Sequence, residues 1–190
     1  MKTTTVIAAA ATFALGGLVG TFALLASQRP ADDRALAPLR PAWTEVQWPF
    51  PLDEWGKGKA FQCDAAHCGA VVNLYLRAKI GFCNCTTGVS DDEELERLSD
   101  FHLAGKEVSA IGAGRPIAVA WMKGRSRGYS IGGANRPGKS ALSVAFNDRC
   151  DAMVATVVTG HQQPSVVEPA VIEFLNGKTV LRWAEVTLGL

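Results

Sequence analysis

The chain has 190 residues, with 19 Lys and Arg against 18 Asp and Glu, a formal net charge of +1 and a pI of about 7.6. That balance gives no global attraction for nucleic acid or an acidic surface, so nucleic acid is not expected as a partner. Apolar residues make up 48% of the chain, which sets it apart from disordered sequences. About 160 residues remain after an apolar leader, enough to bury one core.

Residues 6–26, VIAAAATFALGGLVGTFALLA, carry no charge. Lys2 precedes them, and Arg29, Asp32, Asp33 and Arg34 follow. Roughly 20 apolar residues span a bilayer, and the positive start favours an N-inside orientation. The segment is therefore either an uncleaved membrane anchor or a cleaved signal. Leu24-Leu25-Ala26 is a poor cleavage exit, which favours the anchor, whereas Ala35-Leu36-Ala37 fits better but lies far from the apolar run. Both readings place the rest of the chain on the extracytoplasmic, periplasmic side, secreted if the segment is cleaved. Ala8, Thr12, Gly16 and Gly20 fall on one helix face, and Gly16 with Gly20 forms the small-xxx-small pattern of a membrane homodimer. The competing explanation is that Ala and Gly are common in leaders.

Residues 27–42 read as a Pro-rich spacer, and 43–190 as a single α+β domain. Five of the nine prolines (30, 38, 41, 49 and 51) lie within 28–56, together with Trp43, Trp48 and Trp55. Early prolines favour extended backbone. The tryptophans are expected to pack as the domain's first strand and covering loop.

Val72, Leu74, Leu76, Ala78, Ile80 and Phe82 alternate with Asn73, Tyr75, Arg77 and Lys79, which predicts a strand with one buried face. Ser90 and Glu93 have capping-box spacing and open a helix to about Ser99. Residues 116–122, PIAVAWM, are apolar on both parities, as in a central strand covered on both sides. Leu142, Val144 and Phe146 form the next strand, a turn follows at 147–149, and 152–158 closes a hairpin. Pro169 is placed to start a helix over Val171, Ile172, Phe174 and Leu175, with Gly177 ending it. Residues 180–188 read as a final strand. The sum is an α+β fold, a mostly antiparallel sheet of about five to seven strands with two short helices.

Residues 133–140, GANRPGKS, match the phosphate-loop pattern, in which Lys139 would reach phosphates and Ser140 would hold magnesium. Such a loop must open a helix, yet Ser140 opens a stretch with strand periodicity, so no nucleotide is expected. What remains is a basic run without an acid: Lys123, Arg125, Arg127, Arg136 and Lys139. It reads as an anion- or partner-binding surface, or as a solvated glycine-rich connection, opposite in sign to the acidic run 91–96.

Five cysteines, at 63, 68, 83, 85 and 150, are the most informative residues. In an oxidising compartment they form two bridges with one left over. A bridge from Cys83 to Cys85 needs a sharp turn, so cross-pairing of Cys83 and Cys85 to Cys63 and Cys68 is expected, with Cys150 as the odd thiol. The alternative is a metal site in which Cys63, Cys68, Cys83 and Cys85 hold Zn or Cu(I), His67 being a further donor. Over three residues, Cys83-Asn84-Cys85 is similar to the Cys-x-Cys spacing of membrane-anchored copper chaperones of cytochrome oxidase assembly. A third reading makes Cys150 a nucleophile with His161 as its base. The leading expectation is a membrane-anchored or exported, non-enzymatic domain for partner binding or assembly. A thiolate metal-binding protein and a small thiol enzyme are the alternatives.

Overall fold

A computed structural model of the chain describes residues 40–81, 84–105, 107–132 and 138–190. The apolar segment 6–26 with Gly16 and Gly20, nearly all of the 27–42 spacer, Cys83 and Arg136 lie outside the described residues.

Seven strands form one sheet: β1 (Trp43–Val46), β2 (Lys59–Cys63), β3 (Val72–Lys79), β4 (Val108–Val119), β5 (Met122–Ile131), β6 (Lys139–Asp148) and β7 (Asp151–Thr159). Every pairing is antiparallel, and the order is β1-β2-β3-β7-β6-β5-β4. After β3 the chain leaves the sheet, and α2 (Asp92–Leu98) and α3 (Phe101–Ala104) carry it to the far edge. From β4 to β7 it returns strand by strand through hairpins until β7 lies beside β3. A single turn, α1 (Ala65–Cys68), links β2 to β3, while α4 (Pro164–Leu175) and α5 (Lys178–Leu188) follow β7.

Both faces of the sheet are covered. On one, Leu74 and Leu76 of β3, Val144 and Phe146 of β6, and Met153 and Val157 of β7 pack against Val167, Val171 and Leu175 of α4 and Val180, Ala184 and Leu188 of α5. On the other, Leu95 and Leu98 of α2 cover Ala145, Ala152 and Val154, and Phe101 meets Tyr129 with ring centroids 4.6 Å apart. Because β6 and β7 are sandwiched, their sequences are apolar on both parities. Each large aliphatic side chain buried there contributes about 1.5–3 kcal/mol relative to exposure.

The predicted β3, the hairpin of β6 and β7, and the helix ending near Ser99 all form. The cap of α2 is Asp91, one residue later than expected, and its carboxylate accepts the Glu94 amide at 2.8 Å. Four expectations need correction. Five helices are present among the described residues instead of two. Residues 180–188 belong to α5: Val180, Ala184 and Leu188 recur every fourth position, a spacing that fits a helical stripe as well as strand parity. Residues 116–122 are not a central strand but the end of an edge strand, β4, and the turn after it, where Trp121 is exposed. The helix expected at Pro169 starts at Pro164, with Pro169 inside it. The polar side of β3 is also buried: Arg77 and Lys79 pair with Asp53 of the β1–β2 connection and Asp100 between α2 and α3.

Candidate functional site

The cysteines pair differently from the expected arrangement. Cys63, at the end of β2, is bonded to Cys68 at the end of α1, and Cys85, in the loop after β3, is bonded to Cys150 in the β6–β7 turn. The second bridge follows from sheet register. Lys79 pairs with Ala152, which brings the exit of β3 beside the entry of β7, and Asp151 Oδ1 accepts the Gly81 amide at 2.6 Å across that junction. Cys150 is therefore not the odd thiol and offers no free sulfur to a nucleophilic role with His161. Cys83, the remaining cysteine, lies outside the described residues. Three of the four expected metal ligands are disulfide sulfurs instead of thiolates. Among the described residues no cluster of three or more His, Cys, Asp or Glu is arranged to hold a metal.

The basic run is not one surface. Residues 122–131 form a strand, not a loop, and its odd positions place Arg125 and Arg127 beneath α2. Arg125 pairs with Asp92 and donates to the Gly114 carbonyl at 3.0 Å. Arg127 reaches Glu96 at 2.7 Å and the Gly112 carbonyl at 2.8 Å. Asp92 also accepts the Gly114 amide at 3.0 and 3.1 Å. These bonds clamp a bulge in β4, where the register slips between Ile111 and Arg115. The acidic run of α2 is thus the partner of these two arginines. Lys123 and Lys139 are exposed and lie far apart in register, opposite Asn147 and Ile131 respectively. Lys139 and Ser140 open β6, not a helix as a phosphate loop requires.

A second ionic cluster sits on β3. Arg77 donates to Asp100 at 2.6 and 2.8 Å and to both oxygens of Asp53 at 2.8 Å. Lys79 Nζ lies 2.9 Å from Asp100 and 5.0 Å from the centre of the Trp55 ring. Two cations and two carboxylates thus satisfy one another beside the Trp55 ring, with His102 3.5 Å from Asp53 at the exposed end.

The candidate site is the opposite case: a cleft of about 440 Å³ between the first turns of α4 and the face formed by β4, β5 and β6. Ile111, Ala113 and Arg115 of β4 line one side, and Gln163, Pro164 and Ser165 the other. Ser126, Gly128, Ser140 and Leu142 make the floor. Gly128 lets α4 approach: a Cβ there would stand 2.9 Å from the Pro164 side chain. At the inner end, Glu168 of α4 is only 7% exposed. Its Oε1 accepts the Ser126 hydroxyl at 2.5 Å, and its Oε2 pairs with Arg115. A carboxylate this deep requires such partners. The Arg115 side chain is 62% exposed, so its guanidinium reaches from the buried carboxylate to the mouth of the cleft.

None of Ser126, Glu168 and Arg115 stood out in the sequence. Glu168 had a readable signal, as the lone acid on the buried α4 stripe of Pro164, Val167, Val171 and Leu175. Ser126 and Arg115 had none, because their meeting depends on cross-strand register. Among the described residues no helix is long and apolar enough to cross a membrane. The sequence matches no protein-family model and no curated protein.

Proposed function

We propose that the chain is an exported, membrane-anchored, non-enzymatic binding domain stapled by disulfides. The observation that carries this reading is the pair of bridges, Cys63–Cys68 and Cys85–Cys150, which form and persist in oxidising compartments. The uncharged segment 6–26 supplies a route out of the cytoplasm. The cleft favours binding over catalysis. Ser126 donates its hydrogen to a carboxylate that a guanidinium also holds, and no histidine lines the cleft among the described residues. That set lacks the base-and-orienter arrangement that activates a serine.

The test is fractionation of the full chain expressed in a bacterium with an oxidising periplasm, with intact mass measured before and after reduction. Expected are membrane association, protease access from the periplasmic side, and a mass gain of two hydrogens for each of two bridges. A folded, fully reduced protein confined to the cytoplasm would overturn the reading. So would turnover of an ester substrate by the purified protein.

A further inference from the structure

We infer that the cleft between α4 and the β4–β6 face binds a small amphiphile with a single carboxylate head and an apolar body, the head taken by Arg115. The inference rests on the reading of this chain as a binding domain and names the ligand of its cleft.

Three observations select that class. First, the cleft's unused polar capacity is of donor type. Glu168, the acceptor, already receives Ser126 and Arg115, whereas among the described residues only one nitrogen of the Arg115 guanidinium is engaged. The remaining donors of a guanidinium form a fork that matches a carboxylate. The hydroxyls of Ser140 and Ser165 and the Gln163 amide line the same space. Gln163 makes no side-chain cap bond to α4 that would occupy it.

Second, most of the remaining lining is apolar, Ile111, Ala113, Leu142 and Pro164, and the other charged residue there, Arg127, is already paired with Glu96. A volume of about 440 Å³ falls at the small end of the usual range for ligand sites, which suits a medium-length chain.

Third, the neighbouring sheet edge argues against an extended peptide. The outer edge of β4 is interrupted by the bulge between Ile111 and Arg115, and Pro116 beside it has no N–H to offer a new strand. The cleft therefore takes a ligand end-on, without strand addition.

The experiment titrates decanoate into the oxidised protein by calorimetry, with 1-decanol as the uncharged control and p-nitrophenyl decanoate as a check for turnover. Expected is one-to-one binding of decanoate, with decanol at least tenfold weaker. Arg115→Gln should weaken decanoate by roughly tenfold to a hundredfold, the worth of a charge-assisted pair. Because that change strips Glu168 of its cation, the double variant Arg115→Gln/Glu168→Gln repeats the measurement with the buried pair neutral, and the same loss is expected. Ala113→Phe, on the exposed side wall, should block the cleft without touching the core. Equal binding of decanoate and decanol, or decanoate affinity unchanged by the double variant, would overturn the carboxylate class. No binding of either probe would overturn the site while leaving the binding-domain reading to its own test. Hydrolysis of the ester, lost in Ser126→Ala, would overturn that reading itself.

Discussion

Arg77 grips Asp100 through two parallel hydrogen bonds, 2.6 Å from Nε and 2.8 Å from the neighbouring terminal nitrogen, with both side chains only 2% exposed. Lys79 leans on the same carboxylate, so Asp100 is a deeply buried anion serving two buried cations. Removing one partner of such a group leaves an uncompensated charge in a poorly solvated place, which typically costs about 3–5 kcal/mol. Asp100→Asn should therefore lower the urea midpoint severely. Asp53→Asn should do less, since Asp53 is one-third exposed and water can replace it. Equal damage from both substitutions would show that the cluster acts as one unit instead of through Asp100.

The two bridges should differ in worth. Cys85–Cys150 closes 65 residues of sequence, and Cys63–Cys68 closes 5. On the chain-entropy account the long loop contributes about 4 kcal/mol and the short one about 2 kcal/mol, before any native-state strain. Replacing Cys85 and Cys150 by Ser should lower the melting temperature more than replacing Cys63 and Cys68. The opposite order would mean that the short bridge holds the end of β2 in a way loop length does not capture. Alkylation without reduction should leave these four cysteines unmodified.

The Asp92 carboxylate gives a signature in acid. The Gly114 amide first, and then Arg125, hold its pKa below the usual carboxylate value, against a smaller opposing effect of burial. A depressed folded-state pKa means that the stabilisation is present above the unfolded value, about 3.9, and fades as the pH falls through the folded one. The melting temperatures of native protein and Asp92→Asn should therefore be furthest apart at neutral pH and converge as the pH drops below about 4. Gly114→Ala should act like Asp92→Asn at neutral pH, because its Cβ would fall 2.3 Å from Asp92 Oδ1. A gap that stays constant down to strong acid would place the role of Asp92 in packing instead of charge.

How far these features were legible depends on the range of the interactions that make them. The alternation along 72–79 announced β3, and Leu142, Val144 and Phe146 announced β6, because side-chain parity is a local property. α5 was lost because a spacing of four residues serves both periods. The apolar run at 116–122 misled because it joins the end of an edge strand to a turn carrying an exposed Trp121. The cysteine pairing needed the β3–β7 register, which only the complete sheet sets. The acidic run in α2 and the arginines of β5 were visible as opposite charges, but not as partners clamping a bulge. The cleft was least legible: Arg115 and Ser126 are opposed across strands, and Glu168 arrives from a helix 42 residues beyond Ser126.

The two tyrosines, the only ones in the chain, provide a test of both regions of the covered face. Tyr75 lies against Trp48 and Phe50, and Tyr129 lies against Phe101, between α3 and the sheet. Burial raises the Tyr75 phenol above its ordinary value. Burial, with the nearby Glu96 charge adding to it, pushes Tyr129 up to about 12. A raised folded-state pKa keeps the neutral phenol inside, so the stability it confers is complete below the unfolded value, about 10, and is lost as the pH rises through the folded one. In an alkaline titration the folded protein should show less phenolate absorbance near pH 10 than the same chain in guanidinium, which should be about half-titrated there. Phe101→Ala should bring one of the two phenols back toward about 10 by opening the cover over Tyr129, and leave the other where it was. A Phe101→Ala titration that coincides with the native one would mean that α3 does not seal Tyr129.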